Sequence, residues 1–291
     1  MNWTLYVLMI PVLVYFILFC YLPMYGIVMS FQDYSIYKGF TGSEWVGFEH
    51  FIKFFQSPRF GELLINTIRI SLACLAFGFP APIVLALLLN ELKSARLGKV
   101  IQNCTYIPHF VSLVVACSIV KLFTNETGII GAFVNAITGA DGNMLNYKEN
   151  FLPIYVISNI WQECGWGSII YLAALTGIDQ SLYEAAEVDG AGKWKKVISI
   201  TLPSILPTII IMLIMRMGSI LSVGYEKILL LGNDATSEVS DVLSTYNYEV
   251  GIKQSRYSYS AAIGLFNTLV NLAFVQGANW ISRKVNGYAL W

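Results

Sequence analysis

Residues 7–29 run without a single charge, and apolar stretches of similar length recur along the chain. A helix needs about 20 apolar residues to span a bilayer, so each stretch is long enough to cross with some tilt. Charged residues make up only 12% of the chain, where a soluble domain carries about 25%. That deficit is what a chain solvated by lipid shows. The expected fold is an all-α integral membrane protein. Six transmembrane helices are predicted, at about residues 5–29, 67–89, 104–122, 151–178, 204–225 and 258–282. Pro11 and Pro23 fit within the first, because neighbours re-satisfy freed carbonyls in a packed membrane protein. Gly78, Pro80 and Pro82 should kink the second. No basic segment precedes the first run and no small-residue cleavage site follows it, so it reads as a helix rather than a signal peptide. Without short-period repeats or low-complexity tracts, residues 1–291 read as a single transmembrane domain.

Six spans put both termini on one side of the membrane. Lys93, Arg96 and Lys99 lie between the second and third spans, and Lys193, Lys195 and Lys196 between the fourth and fifth. Arg283 and Lys284 follow the sixth. Positive loops stay inside, so these loops and both termini are predicted to be cytoplasmic. The outer connections are longer and more acidic. Residues 48–60 mix aromatic and charged side chains and read as a short interfacial helix. Residues 226–256 read as a long polar connection that turns at Gly232, Asn233 and Asp234.

Zero formal net charge offers no basic surface to nucleic acid. Cys20, Cys74, Cys104, Cys117 and Cys164 all fall in apolar runs without metal-ligand spacing, which suits inert small hydrophobes. His50 and His109 lie in different elements with no nucleophile beside either. His109, after Pro108, is expected near a membrane interface.

Residues 179–203 interrupt the lipid-compatible pattern and are too short and charged to cross. Ser181 and Glu184 have the spacing of a capping box, which predicts a helix from about Leu182. Ala185 and Ala186 leave the backbone open to close approach by another surface. Gly190 and Gly192 permit a sharp bend. Trp194, Val197 and Ile198 then make the apolar stripe of a second short helix. Pro203 stands at the expected start of the fifth span, where its missing N–H is harmless. From the residues alone, an ordinary exposed loop and a docking elbow remain open.

The same loop resembles the EAA motif of the membrane subunits of binding-protein-dependent ABC importers. Glu184-Ala185-Ala186, Gly190, Ile200 and Leu202-Pro203 match that pattern at every position. Further segments, among them YLPMYGIVMSFQDYS, FGFPAPIVLALLLNE, YIPHFVS and DVLSTYNYEVG, are similar to the LplB/YteP-like branch of carbohydrate permeases. The resemblance implies a type I ABC importer permease fold in a bacterial cell membrane. It implies that Glu184, Ala185, Ala186, Asp189 and Gly190 couple to an ATPase. It implies a second permease subunit, two cytoplasmic ATPase subunits that bind ATP and Mg²⁺, and an extracellular substrate-binding lipoprotein. The implied cargo is an oligosaccharide or polysaccharide fragment. In agreement, the chain has no G-x-x-x-x-G-K-[ST]: Gly98-Lys99 and Gly192-Lys193 precede Val100 and Trp194, not a hydroxyl.

Two charges fall inside predicted spans. Arg216 at a helix centre costs about 3 kcal/mol on insertion scales, so it should face a cavity or a partner. Glu163 has the opposite sign, and the two either pair with each other or line a path. Asn159, Glu163 and Trp166 share one helical face of the fourth span; Arg216, Ser219 and Val223 are predicted to share one of the fifth. In the maltose permeases that this chain resembles, the spans flanking the EAA loop contact sugar, which implies a substrate role for these six residues. Trp166 would cover a sugar's C–H face while polar neighbours take hydroxyls. Asn267 and Asn271 could line the path or bond between helices. The charged pair would also suit a charged sugar such as a uronate. Two alternatives remain: an ABC permease for a non-sugar solute, and an ion-coupled secondary transporter built on Glu163 and Arg216.

Overall fold

The computed structural model describes residues 3–139, 141–287 and 289–291. Among these, the one sheet is a hairpin in which β1 (Gln32–Asp33) pairs antiparallel with β2 (Glu44–Trp45). Helices make up nearly everything else. The chain divides into two compact units, Met1–Gly61 with Tyr246–Leu269, and Glu62–Thr245 with Val270–Trp291.

In the first unit, α1 (Trp3–Phe16) continues through a π-turn at Ile17–Tyr21 and a 3₁₀ turn at Tyr25–Phe31. From Tyr6 to Phe16 its large apolar side chains are exposed, as expected of a helix whose solvent is lipid. The short helix expected within 48–60 is α2 (Glu49–Phe55). It carries Phe54 into a cluster with Phe60, Tyr259 and Phe266. His50 is buried and bonded to the Gln32 carbonyl at 3.1 Å, a structural role.

In the second unit, α3 (Phe60–Ala73) and α4 (Pro80–Asn90) flank a π-turn at Cys74–Gly78. Next come α5 (Ala95–Tyr106), α6 (Leu113–Thr124) and α7 (Ile129–Thr138). The 29-residue α8 (Lys148–Thr176) packs against α4 and α5 and is the central helix. Two glycines allow this. A Cβ at Gly165 would lie 2.0 Å from the Thr105 carbonyl of α5, and one at Gly167 3.0 Å from the Pro82 ring of α4. Small residues let helix backbones approach where lipid supplies no hydrophobic drive. After α8 come α9 (Gln180–Val188), α10 (Lys193–Lys196), α11 (Leu202–Met217) and α12 (Tyr225–Leu231); of α13 (Tyr257–Asn286), the part from Val270 onward belongs to this unit.

Five stretches are long and apolar enough to cross a membrane: Tyr6–Phe31, Phe60–Asn90, Leu113–Thr138, Lys193–Met217 and Tyr257–Val285. The predicted fourth span falls in α8, which is long enough but is not among these five apolar stretches, because Asn159, Gln162 and Glu163 interrupt it. The predicted third span is displaced: a 3₁₀ turn at Ile107–Phe110 around Pro108 separates α5 from α6, which Ser112 caps.

The predicted fifth span differs at both ends. At its start the helical path begins at Lys193, not Pro203, and α10 runs through a π-turn (Val197–Thr201) into α11. The second short helix is therefore the base of the span. The π-turn has a cause. A proline ring clashes with the carbonyl four residues back, and one extra residue in the turn relieves it. The turns at 17–21, 74–78 and 197–201 each end two residues before a proline, at Pro23, Pro80 and Pro203.

At its other end α11 stops at Met217, and residues 218–224 leave the helix. Side chains from three helical elements satisfy this exposed backbone. Ser71 donates to the Ile220 carbonyl. Asn271 accepts the Leu221 N–H at 2.9 Å and donates to Ser222 Oγ at 3.0 Å. Ser244 donates to the Val223 carbonyl at 2.6 Å. The predicted polar connection after residue 225 instead begins with α12, whose Lys227, Ile228 and Leu231 are buried.

Two substitutions test this packing. Gly165→Ala forces α8 off α5 and should lower stability by about 1–3 kcal/mol, read as earlier thermal unfolding in detergent. Asn271→Leu orphans the buried Leu221 N–H and should cost about 1–3 kcal/mol. A melting temperature unchanged by Asn271→Leu would show that the broken segment is held otherwise.

Candidate functional site

A cavity of about 930 Å³ lies within the second unit, walled by α3, α4, α8, α11, the 107–110 turn and the segment from 219 to 227. It is within the size range of small-ligand sites. All six residues that the sequence nominates for substrate line it: Asn159, Glu163, Trp166, Arg216, Ser219 and Val223. The first three do so as predicted, from one face of α8. The other three do not share a helix face, since α11 ends at Met217. Arg216 stands on its last turn, and Ser219 and Val223 reach the wall through the bonded break.

Glu163 and Arg216 do not pair. Glu163 Oε2 meets His109 Nδ1 at 3.0 Å. The His109 ring in turn stacks on Trp166, with centroids 4.6 Å apart and planes 3° from parallel. Phe110 meets the Trp166 ring edge-on at 5.7 Å. His109 is thus a wall residue of the cavity. Its contact with Glu163 fixes the ring, which leaves one face of Trp166 already covered. Among the described residues Arg216 has no ion pair.

Sequence reasoning missed His109, Gln162 and Lys227 in this wall. Gln162, 6% exposed, was signalled by its place beside Glu163 in an otherwise apolar run. Lys227 carried no such signal, because a lysine in a polar connection reads as solvated. It is 5% exposed, and its Nζ lies 5.5 Å from the centre of the Tyr155 ring. Among the described residues no group of three His, Cys, Asp or Glu side chains is placed to hold a metal ion.

The elbow at 179–203 joins the two main cavity helices. α8 ends at Thr176 and α9 starts at Gln180. The cap is Asp179, not Ser181: its carboxylate accepts the Ser181 N–H at 3.0 Å. Asp179 wins because it stands immediately outside the first helical residue, where a side-chain oxygen reaches the orphan N–H groups. That N–H holds the Asp179 carboxyl below its ordinary value, and Lys196 does the same for Glu187. Both contacts are therefore complete above the ordinary carboxylate range and weaken as pH falls through the lowered values.

Gly190 ends α9 in the left-handed region, with φ +74°. The Gly190 N–H bonds to the Glu187 carbonyl and the Ala191 N–H to that of Ala186, the paired bonds of a Schellman turn. Tyr183 and Thr201 share a hydrogen bond of 2.9 Å, and Lys196 reaches Glu187 at 2.8 Å. These contacts tie α9 to the base of α11. Glu184, Ala185, Asp189 and Gly190 stay exposed, with Ala186 half-buried. Val188 and Trp194 are 89% and 81% exposed.

Residues 78–287 match the family described as binding-protein-dependent transport system inner membrane component. The chain is 46% identical over 288 residues to Protein LplB of Bacillus subtilis (strain 168), covering 99% of this chain and 91% of that one. It is 45% identical over 281 residues to the polygalacturonan/rhamnogalacturonan transport system permease protein YteP of the same organism, covering 96% and 88%. A solved bacterial ABC transporter involved in import of the acidic polysaccharide alginate contains a similar chain. The TM-score is 0.89 at 41% identity, over 98% of this chain and 96% of that one. A bacterial alginate ABC transporter in complex with alginate pentasaccharide-bound periplasmic protein gives 0.90 at 41% identity, over 99% and 97%. The fold is that of the ABC importer permeases, and the chain is a multi-pass membrane protein belonging to the family of binding-protein-dependent transport system inner membrane components.

Proposed function

We propose that this chain forms part of the glycan path of an ATP-driven importer and couples that path to ATP hydrolysis carried out by other subunits. The observation that carries the reading is the continuity of elbow and cavity. α8 leads into α9 within a few residues, α10 runs unbroken into α11, and both α8 and α11 wall the cavity. Displacement of the elbow is thereby transmitted along two stiff helices. The exposed face at Glu184, Ala185, Ala186, Asp189 and Gly190, with Val188 and Trp194 alongside, is the docking surface for an ATPase subunit. Two such subunits bind ATP and Mg²⁺, and a second permease completes the pathway.

In this reading α8 is the sixth span; its polar face is tolerated because it lines the cavity rather than lipid. Both termini are cytoplasmic. An extracellular binding protein delivers an oligosaccharide or polysaccharide fragment, as the descriptions of the alginate importer and YteP support. Closure of the ATPase pair moves the elbow, α8 and α11 rock about the cavity, and the cavity opens outward to take cargo. It reverts inward after hydrolysis. Asn159, Glu163, Trp166, Arg216, Ser219 and Val223 contact the glycan.

Gly190 provides the test. A Cβ there meets nothing within 4 Å, so a larger side chain fits the isolated chain and burdens only the φ of +74°. Asn tolerates that conformation and controls for it. In a pull-down on this chain from detergent, Gly190→Asn should retain the co-expressed ATPase. Gly190→Trp should recover more than about tenfold less, as for loss of a central interface contact. Equal recovery with Gly190→Trp and wild type would remove the elbow as the docking site.

A further inference from the structure

Lys227 is unusual in this cavity. It is 95% buried by its 5% exposure, and its Nζ has no hydrogen-bond partner. Burying an ammonium without compensation is expensive, and such groups are normally paired. Its neighbours compensate only weakly. The Tyr155 face is 5.5 Å away, and Cys74 and Cys117, buried in the same core, are poor acceptors. The cavity's acids are otherwise engaged: Glu163 holds His109, and Glu226 receives the Tyr225 hydroxyl at 3.4 Å. Arg216, on the same wall, has no ion pair among the described residues. Lys227 and Arg216 thus border a space in which no carboxylate pairs with either.

We propose that Lys227, together with Arg216, is the subsite for a carboxylate of the cargo, so that the glycan taken up is a uronate-containing, acidic one. The inference rests on the glycan-import reading and narrows its substrate class. The ammonium lies back against the Tyr155 ring, out of water. The lysine stem has the rotational freedom to bring it forward when a carboxylate enters. Arg216 offers a planar fork for a second carboxylate oxygen. Trp166, stacked on one side by His109, stands on the same wall for the sugar ring.

The test uses the assembled transporter in proteoliposomes, with its own binding protein and ATPases in every reaction. The probes are oligogalacturonate, oligoalginate and the carboxyl-reduced form of each. With wild type, uptake of at least one oligouronate is expected. Lys227→Met should lower it by about tenfold or more, as for loss of one partner of a buried charge pair. Lys227→Arg should restore most of it. Uptake by Lys227→Met at the wild-type rate overturns the proposal. So does a loss in Lys227→Arg as deep as in Lys227→Met, which would assign Lys227 to shape rather than charge. Uptake of only the carboxyl-reduced glycans by wild type overturns the acidic class and leaves glycan import standing. Uptake of none of the four probes overturns glycan import itself.

Discussion

A backbone that leaves the helix among apolar neighbours must find other partners for its N–H and C=O groups. Residues 218–224 are the place where this chain meets that demand, and the cavity depends on how it does so. Ser71, Asn271 and Ser244 supply the bonds that the helix would have made. With the segment held, Ser219 and Val223 turn toward the cavity and Lys227 follows on a separate short helix. A continuous helix through Tyr225 would have removed the wall. Irregular backbone at membrane depth is tolerated only where protein or a cavity surrounds it.

Proline shapes the rest of the scaffold by a related argument. Three π-turns end two residues before a proline, so the strain of each ring is absorbed by widening the preceding turn. The helices bend without breaking. For the stretch from Lys193 to Met217 this keeps the elbow and the cavity on one mechanical element. α8 supplies the other, and its close fit to α5 and α4 at Gly165 and Gly167 ties it to their backbones.

The cavity wall is a network more than a collection of side chains. Glu163 fixes His109, and His109 supports Trp166. A carboxylate that could have neutralised Arg216 is thereby committed elsewhere. The ion-coupled alternative built on a Glu163–Arg216 pair loses its premise, and the wall keeps a charge imbalance that a cargo can answer.

Local patterns were legible in the sequence. Uncharged runs marked the membrane helices, the spacing from Glu184 to Pro203 marked the elbow, and Gly190 marked its turn. Each depends on residues close together in the chain, where periodicity and φ preference act directly. Even there a competing group could win, as Asp179 took the cap from Ser181. The end of α11 at Met217, the pairing of Glu163 with His109 and the burial of Lys227 were decided by tertiary structure. Their partners lie 149 residues away for Ser71 and Ile220, 50 for Asn271 and Leu221, and 54 for His109 and Glu163. Hydrogen bonds and ion pairs between such distant positions leave no period in the sequence. Composition and spacing therefore determined what kind of protein this is and nominated six side chains of the cavity, while packing decided their partners and added His109, Gln162 and Lys227 to the wall.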